Sequence, residues 1–86
     1  MKEELEEKFP VGKLYTISFN RQTNNIFSIL IKGKSKEFNC CETVFILLEI
    51  THKESSLLNL NVLLQNGDLG LIKYITEHEL IEAKLC

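Results

Sequence analysis

Tyr15, Ile17 and Phe19 are apolar, and Thr16, Ser18 and Asn20 between and after them are polar. A period of two marks a β-strand with one buried face, because successive side chains leave a strand on opposite sides. The same alternation returns at Phe27, Ile29 and Ile31 against Ser28 and Lys32, and again at Leu58, Leu60, Val62 and Leu64 against Asn59 and Asn61. TVFILLEIT, Thr43 to Thr51, is apolar on both faces for most of its length, which predicts a central strand of the sheet. LGLIKY and IEAKL supply two further strands, the last at an edge. Between them RQTNN, KGKSKEFN and HKESS read as polar connections.

Local signals refine this outline. Asn66-Gly67 tolerates the positive φ values of a two-residue type I′ hairpin turn. Gly70, inside an apolar strand, predicts a bulge or a close backbone approach, the means by which a small sheet bends. Thr76 and Glu79 are spaced as a capping box, with Ile75 and Leu80 placed as its hydrophobic staple, so a helical turn is expected before the last strand. At the start, Leu5 and Phe9 lie four residues apart in MKEELEEKF and Pro10 follows, which predicts a short N-terminal helix over residues 1–10, or else an acidic leader. Fold class is therefore all-β: one barrel of five or six strands over residues 11–86, preceded by that short segment.

Two segments carry a family resemblance. VGKLY is similar to an opening strand, and Gly-Asp-Leu-Gly-Leu-Ile followed by a turn and Leu80-Ile81 to a closing one, of SH3-like small β-barrels. Together they cover about a third of the chain, and small barrels of this look are frequent among uncharacterised phage proteins. The resemblance implies a binding module, and for a phage-type protein a small inhibitor or modulator of a larger host or defence enzyme, acting in the host cytoplasm. The aromatic groove for proline-rich peptides is not matched: the chain has no Trp, Leu71 follows Gly70, and Tyr15 and Tyr74 are the only amphipathic rings.

Composition narrows the function classes. Hydrophobic residues make up 44% of the 86, well above disorder, in a chain near the lower size limit for folding without staples. The three cysteines include the neighbours Cys40 and Cys41, whose side chains would diverge on a strand, so neither a disulfide pair nor a metal centre is expected. With two histidines and a single aspartate, Asp68, in a turn, no nucleophile, base and orienter assemble, and no cofactor motif occurs: the chain reads as non-catalytic. The charged start and the absence of a long apolar run predict a cytoplasmic protein without a membrane segment.

Two kinds of surface remain. Lys32, Lys34 and Lys36, helped by Lys13 and Arg21, could track a nucleic-acid backbone, although a net charge of −2 and the lack of interleaved aromatics favour a solubilising role. The abundance of large aliphatics points instead to a protein partner, or a second copy of the chain. Phe45, Leu47 and Leu63 are placed on strand faces opposite the main alternation, where with Tyr15 and Tyr74 they would form a contact patch. Burial of the same residues beneath Leu5 and Phe9 is the competing outcome.

Overall fold

In the computed structural model, which describes residues 5, 7–18 and 25–83, seven strands form one antiparallel sheet. They are β1 (Leu14–Ile17), β2 (Ile26–Ile31), β3 (Lys34–Asn39), β4 (Phe45–Glu54), β5 (Leu57–Leu64), β6 (Leu69–Thr76) and β7 (Leu80–Glu82). The order across the sheet is β3-β2-β6-β5-β4-β1-β7. A flat sheet would be much thinner than it is wide, whereas the principal extents here are 30 × 28 × 25 Å. The sheet curls into a half-barrel, and β3 and β7 remain unpaired with each other at its two edges.

The core lies on the concave side. Ile29, Leu47, Leu58, Leu60, Val62 and Ile72 are fully buried, and Leu5 and Phe9 join them from the N-terminal segment. The alternation of β5 puts Leu58, Leu60, Val62 and Leu64 inward, as its sequence requires. Gly70 explains part of the curvature. A Cβ there would collide with Ile29 Cγ2, so the bare backbone of β6 lets the Ile29 side chain of β2 lie directly against it.

Bulges supply the rest. Along β4, Leu48 and Thr51 are extra residues relative to β5, since Leu47 pairs with Val62 and Glu49 with Asn61, then Ile50 with Leu60 and His52 with Asn59. On β6 the pairs Leu60↔Ile72 and Leu58↔Ile75 leave an extra residue at Lys73-Tyr74. Each bulge bends its strand and increases the local twist.

Several sequence expectations need correction. The strand count is seven, because KGKSKEFN is a hairpin and not a connection: Lys32 and Gly33 take φ of 52° and 79°, as a type I′ turn demands, and β3 then pairs with β2 along its whole length. HKESS is mostly strand, with only Ser55-Ser56 turning between β4 and β5. The central strand is β5, and β4 is interior but off-centre. At Asn66-Gly67 only Gly67 is left-handed, and the loop has three residues. Gly67 N–H donates to Leu64 C=O at 2.9 Å while Leu64 N–H donates to Asp68 C=O at 2.8 Å, the pattern of a tight turn followed by a glycine bulge.

The expected helical turn before β7 is a single β-turn over Thr76–Glu79. Glu79 N–H donates to the Thr76 carbonyl at 3.1 Å rather than to its hydroxyl, so only the Glu79 half of the capping box forms. Its Oε1 accepts from Thr76 N–H at 3.1 Å and from the Thr76 hydroxyl at 2.9 Å. The N-terminal helix falls largely on residues 1–4 and 6, outside the described residues. What the described part holds is one Phe9 N–H to Leu5 C=O bond of 2.7 Å, and no helix stands among the elements of the described residues.

Candidate protein-binding surface

The outer face is set by register. Residues directly opposite in an antiparallel ladder share a face. Tyr15 pairs with Phe45, Phe45 with Leu64, and Leu47 with Val62, so Phe45 and Leu47 point inward with the main alternation. Their placement on an exposed face is therefore corrected: Tyr15, Phe45 and Leu47 are all buried. The Tyr15 hydroxyl is also spent inside, donating to Pro10 C=O at 2.9 Å, and burial, followed by the charge of Glu82, pushes its pKa up. Phe9 meets the Tyr15 ring edge-on at 6.3 Å, so the N-terminal segment does cover this part of the core.

What β4 turns outward is Ile46 and Leu48. Ile46 pairs with Leu14 of β1 on one side and with Leu63 of β5 on the other, and Leu63 pairs with Leu69 of β6. Leu14, Ile46, Leu63 and Leu69 thus form one unbroken apolar row across four strands on the convex face. Its ends are open to solvent, Leu14 at 53% and Leu69 at 65% exposure, while Ile46 and Leu63 are half-buried. Beside it a groove of about 330 Å³ runs between Leu30 and Leu71 on one side and Leu48 on the other. Among the site residues drawn from sequence, Leu63 belongs to this row. Leu14, Ile46 and Leu69 were missed because their alignment exists only once the strands are paired.

Tyr74 lies toward the other end of β6, on the rim of a separate hollow of about 410 Å³ over Ile17, Phe27 and Cys40. It is 70% exposed and left-handed, φ 62°, because it occupies the β6 bulge, where its N–H donates to Asn59 Oδ1 at 3.1 Å. A side chain in that conformation is strained by about 1–2 kcal/mol. Tyr74→Gly is therefore expected to match or exceed wild-type stability, whereas the β-branched Tyr74→Val should cost about 1–2 kcal/mol. Equal thermal midpoints for the two variants would show that the position is not held left-handed.

The cationic residues fall in two places, the β2–β3 hairpin and the start of β1. Lys32 is in the β2–β3 turn, Lys34 and Lys36 share one face of β3, and Lys13 precedes β1 near the opposite end of the strand order. Arg21 lies outside the described residues, as do Phe19 and most of the RQTNN loop. Cys40 and Cys41 are free thiols in a turn after β3, not on a strand, with Cys41 left-handed. Burial, then the neighbouring Cys41 and Glu79, pushes the Cys40 thiol up in pKa, which disfavours the thiolate. Among the described residues no three His, Cys, Asp or Glu side chains gather where they could hold a metal, and no helix is long and apolar enough to cross a membrane. Glu77 receives Lys8 at 3.1 Å and Lys53 at 3.5 Å, which tie the N-terminal segment and the β4–β5 hairpin to the β6–β7 turn and hold its carboxyl below the usual range, the Lys8 hydrogen bond being the main cause.

No family model, curated protein or solved structure matches this chain.

Proposed function

We propose that the chain is a non-catalytic protein-binding module that engages its partner through the convex apolar row. The observation that carries this reading is the direct cross-strand alignment of Leu14, Ile46, Leu63 and Leu69, extended by Leu48 and Leu71. A lone exposed leucine needs no explanation, but a contiguous row that a small domain leaves uncovered is the kind of patch that marks an interface. The rest of the reading follows the sequence resemblance. The last strand beside the first, followed by a run of antiparallel neighbours, supports an SH3-like small barrel, and a phage-type inhibitor or modulator of a larger host or defence enzyme needs only a complementary surface of this kind.

Capture from nuclease-treated host lysate tests the proposal. One protein should be retained by the wild-type chain and lost with the double variant Leu14→Lys, Leu69→Lys, since interface anchors of this type carry more than about 1 kcal/mol each. Both sites are exposed, so the variant should keep the wild-type circular-dichroism spectrum. Retention unchanged by the substitutions, or abolished by nuclease, would refute the reading. Light scattering on both chains adds a separate arm: a wild-type dimer that the variant dissolves would make the partner a second copy.

A further inference from the structure

The lysine cluster and the open edge of the half-barrel have no part in the convex row, yet they occupy the same strand. β3 is the first strand in the sheet order, is exposed along nearly all its length, and among the described residues pairs only with β2. Its hydrogen-bond phase follows from the hairpin. The turn at Lys32-Gly33 closes the pair Ile31↔Lys34, and at the other end Cys40 N–H donates to Asn25 C=O at 2.8 Å. Hydrogen-bonded and non-bonded pairs alternate in an antiparallel ladder, so Lys34, Lys36 and Phe38 spend their backbone groups on β2. Ser35, Glu37 and Asn39 therefore turn theirs outward. Thr43 N–H donates to the Asn39 carbonyl at 3.2 Å, which leaves the N–H and C=O of Ser35 and Glu37 as an open ladder among the described residues.

Side-chain placement adds chemistry to that ladder. Lys34 pairs with Ile31, Lys36 with Ile29 and Phe38 with Phe27, so the two lysines and Phe38 hang on the concave side. Below them lies a hollow of about 340 Å³ walled by Ile31, Phe38, Val44 and Leu64, with Lys36 on its rim and Glu42 and Asp68 at its polar end, so the pocket itself takes an aliphatic side chain and the carboxylates are left to the lysines. No carboxylate pairs with Lys34 or Lys36 among the described residues. Edge lysines commonly blunt a strand against indiscriminate pairing, because a partner strand must place something acceptable opposite each ammonium. Two antiparallel copies of β3 related by a twofold axis at Ser35, Lys36 or Glu37 would set Lys34 against Lys36, Lys36 against Lys36 or Glu37 against Glu37, and one at Phe38 would need the Asn39 carbonyl that Thr43 N–H already occupies, which disfavours self-pairing. An acidic strand meets neither obstacle.

We propose that the free edge of β3 takes up an extended, acidic and apolar segment of a partner protein as an added strand. Its backbone completes the ladder at Ser35 and Glu37. Its inward carboxylates face Lys34 and Lys36, and an inward aliphatic side chain enters the hollow over Phe38 and Leu64. This is strand addition, in which main-chain bonds give affinity and alternate side chains give specificity. The surface is distinct from the convex row and does not rest on it.

A peptide reading Thr-Ile-Lys-Glu-Thr-Glu, antiparallel to β3, sets Ile against Phe38 and Glu against Lys36 and Lys34. In a titration followed by amide NMR, Ser35 and Glu37 N–H signals should shift and exchange more slowly with solvent. The same peptide N-methylated at the residues facing β3 should not bind, and Lys34→Glu with Lys36→Glu should weaken the peptide about tenfold. Leu14→Lys with Leu69→Lys should leave this titration unchanged, which separates failure here from failure of the convex-row proposal. Absence of any shift at millimolar peptide, equal binding by the N-methylated form, or stronger shifts with a single-stranded oligothymidine than with the peptide would each overturn the inference.

Discussion

Phe45→Ala is expected to destabilise the fold by about 3–5 kcal/mol, the usual cost of emptying a large aromatic site in a packed core. Phe45 is 1% exposed, and it stands where three strands meet, paired with Tyr15 on β1 and Leu64 on β5. The cavity could not collapse easily, because each neighbour is held by its own ladder. A domain of this length has a total stability of about 4–13 kcal/mol, so the loss is a large share of the whole. Chemical denaturation measures it directly. A shift within about 0.5 kcal/mol would instead put Phe45 on the surface, with β4 turned over by one residue. Ile46→Ala supplies the converse control: half-buried on the convex face, it should cost much less than Phe45→Ala.

The two faces of β4 illustrate what the sequence could and could not disclose. In β2 and β5 the inward set is legible, because Ser28 in one and Asn59 and Asn61 in the other mark the opposite phase, and a slip of one residue would bury them. VFILL offers no such contrast. Either phase would bury apolar side chains, and the choice falls to the pairs that Phe45 makes with Tyr15 and Leu64. The convex row was invisible for the same reason, since its members come from four strands and align only through register.

β3 failed to declare itself because Phe38 is its only apolar residue. The strand exists because Lys32-Gly33 accepts the left-handed turn and because β2 offers a complete ladder. Tyr74 gave a fainter signal. The inward residues Ile72 and Ile75 are three apart where a plain strand would keep them two apart, the footprint of one inserted residue. A tyrosine carries no preference for a left-handed backbone that would have fixed where the insertion sits. Gly70, by contrast, was readable: a glycine inside an apolar strand implies close approach, and Ile29 is the group that approaches.

That contact yields the second large effect. Gly70→Ala is expected to cost about 1–3 kcal/mol, lowering the thermal midpoint by something on the order of 10 °C, although Ala has the better strand backbone entropy. The colliding atom, Ile29 Cγ2, is attached at the branch of a fully buried side chain and cannot swing away as the end of a long flexible chain could. Relief requires β2 to move off β6, and the single ladder pair between the two strands, Leu30↔Leu71, gives little to hold them together as they part. A double-mutant cycle isolates the contact. Ile29→Ala alone leaves a cavity and should cost about 2–5 kcal/mol, but in the Gly70→Ala background the new methyl group fills part of that space. The pair should then be less damaging than the sum of the single changes by about 1 kcal/mol or more. Strict additivity would mean that β2 and β6 do not meet at this point, and the curvature of the sheet would need another source.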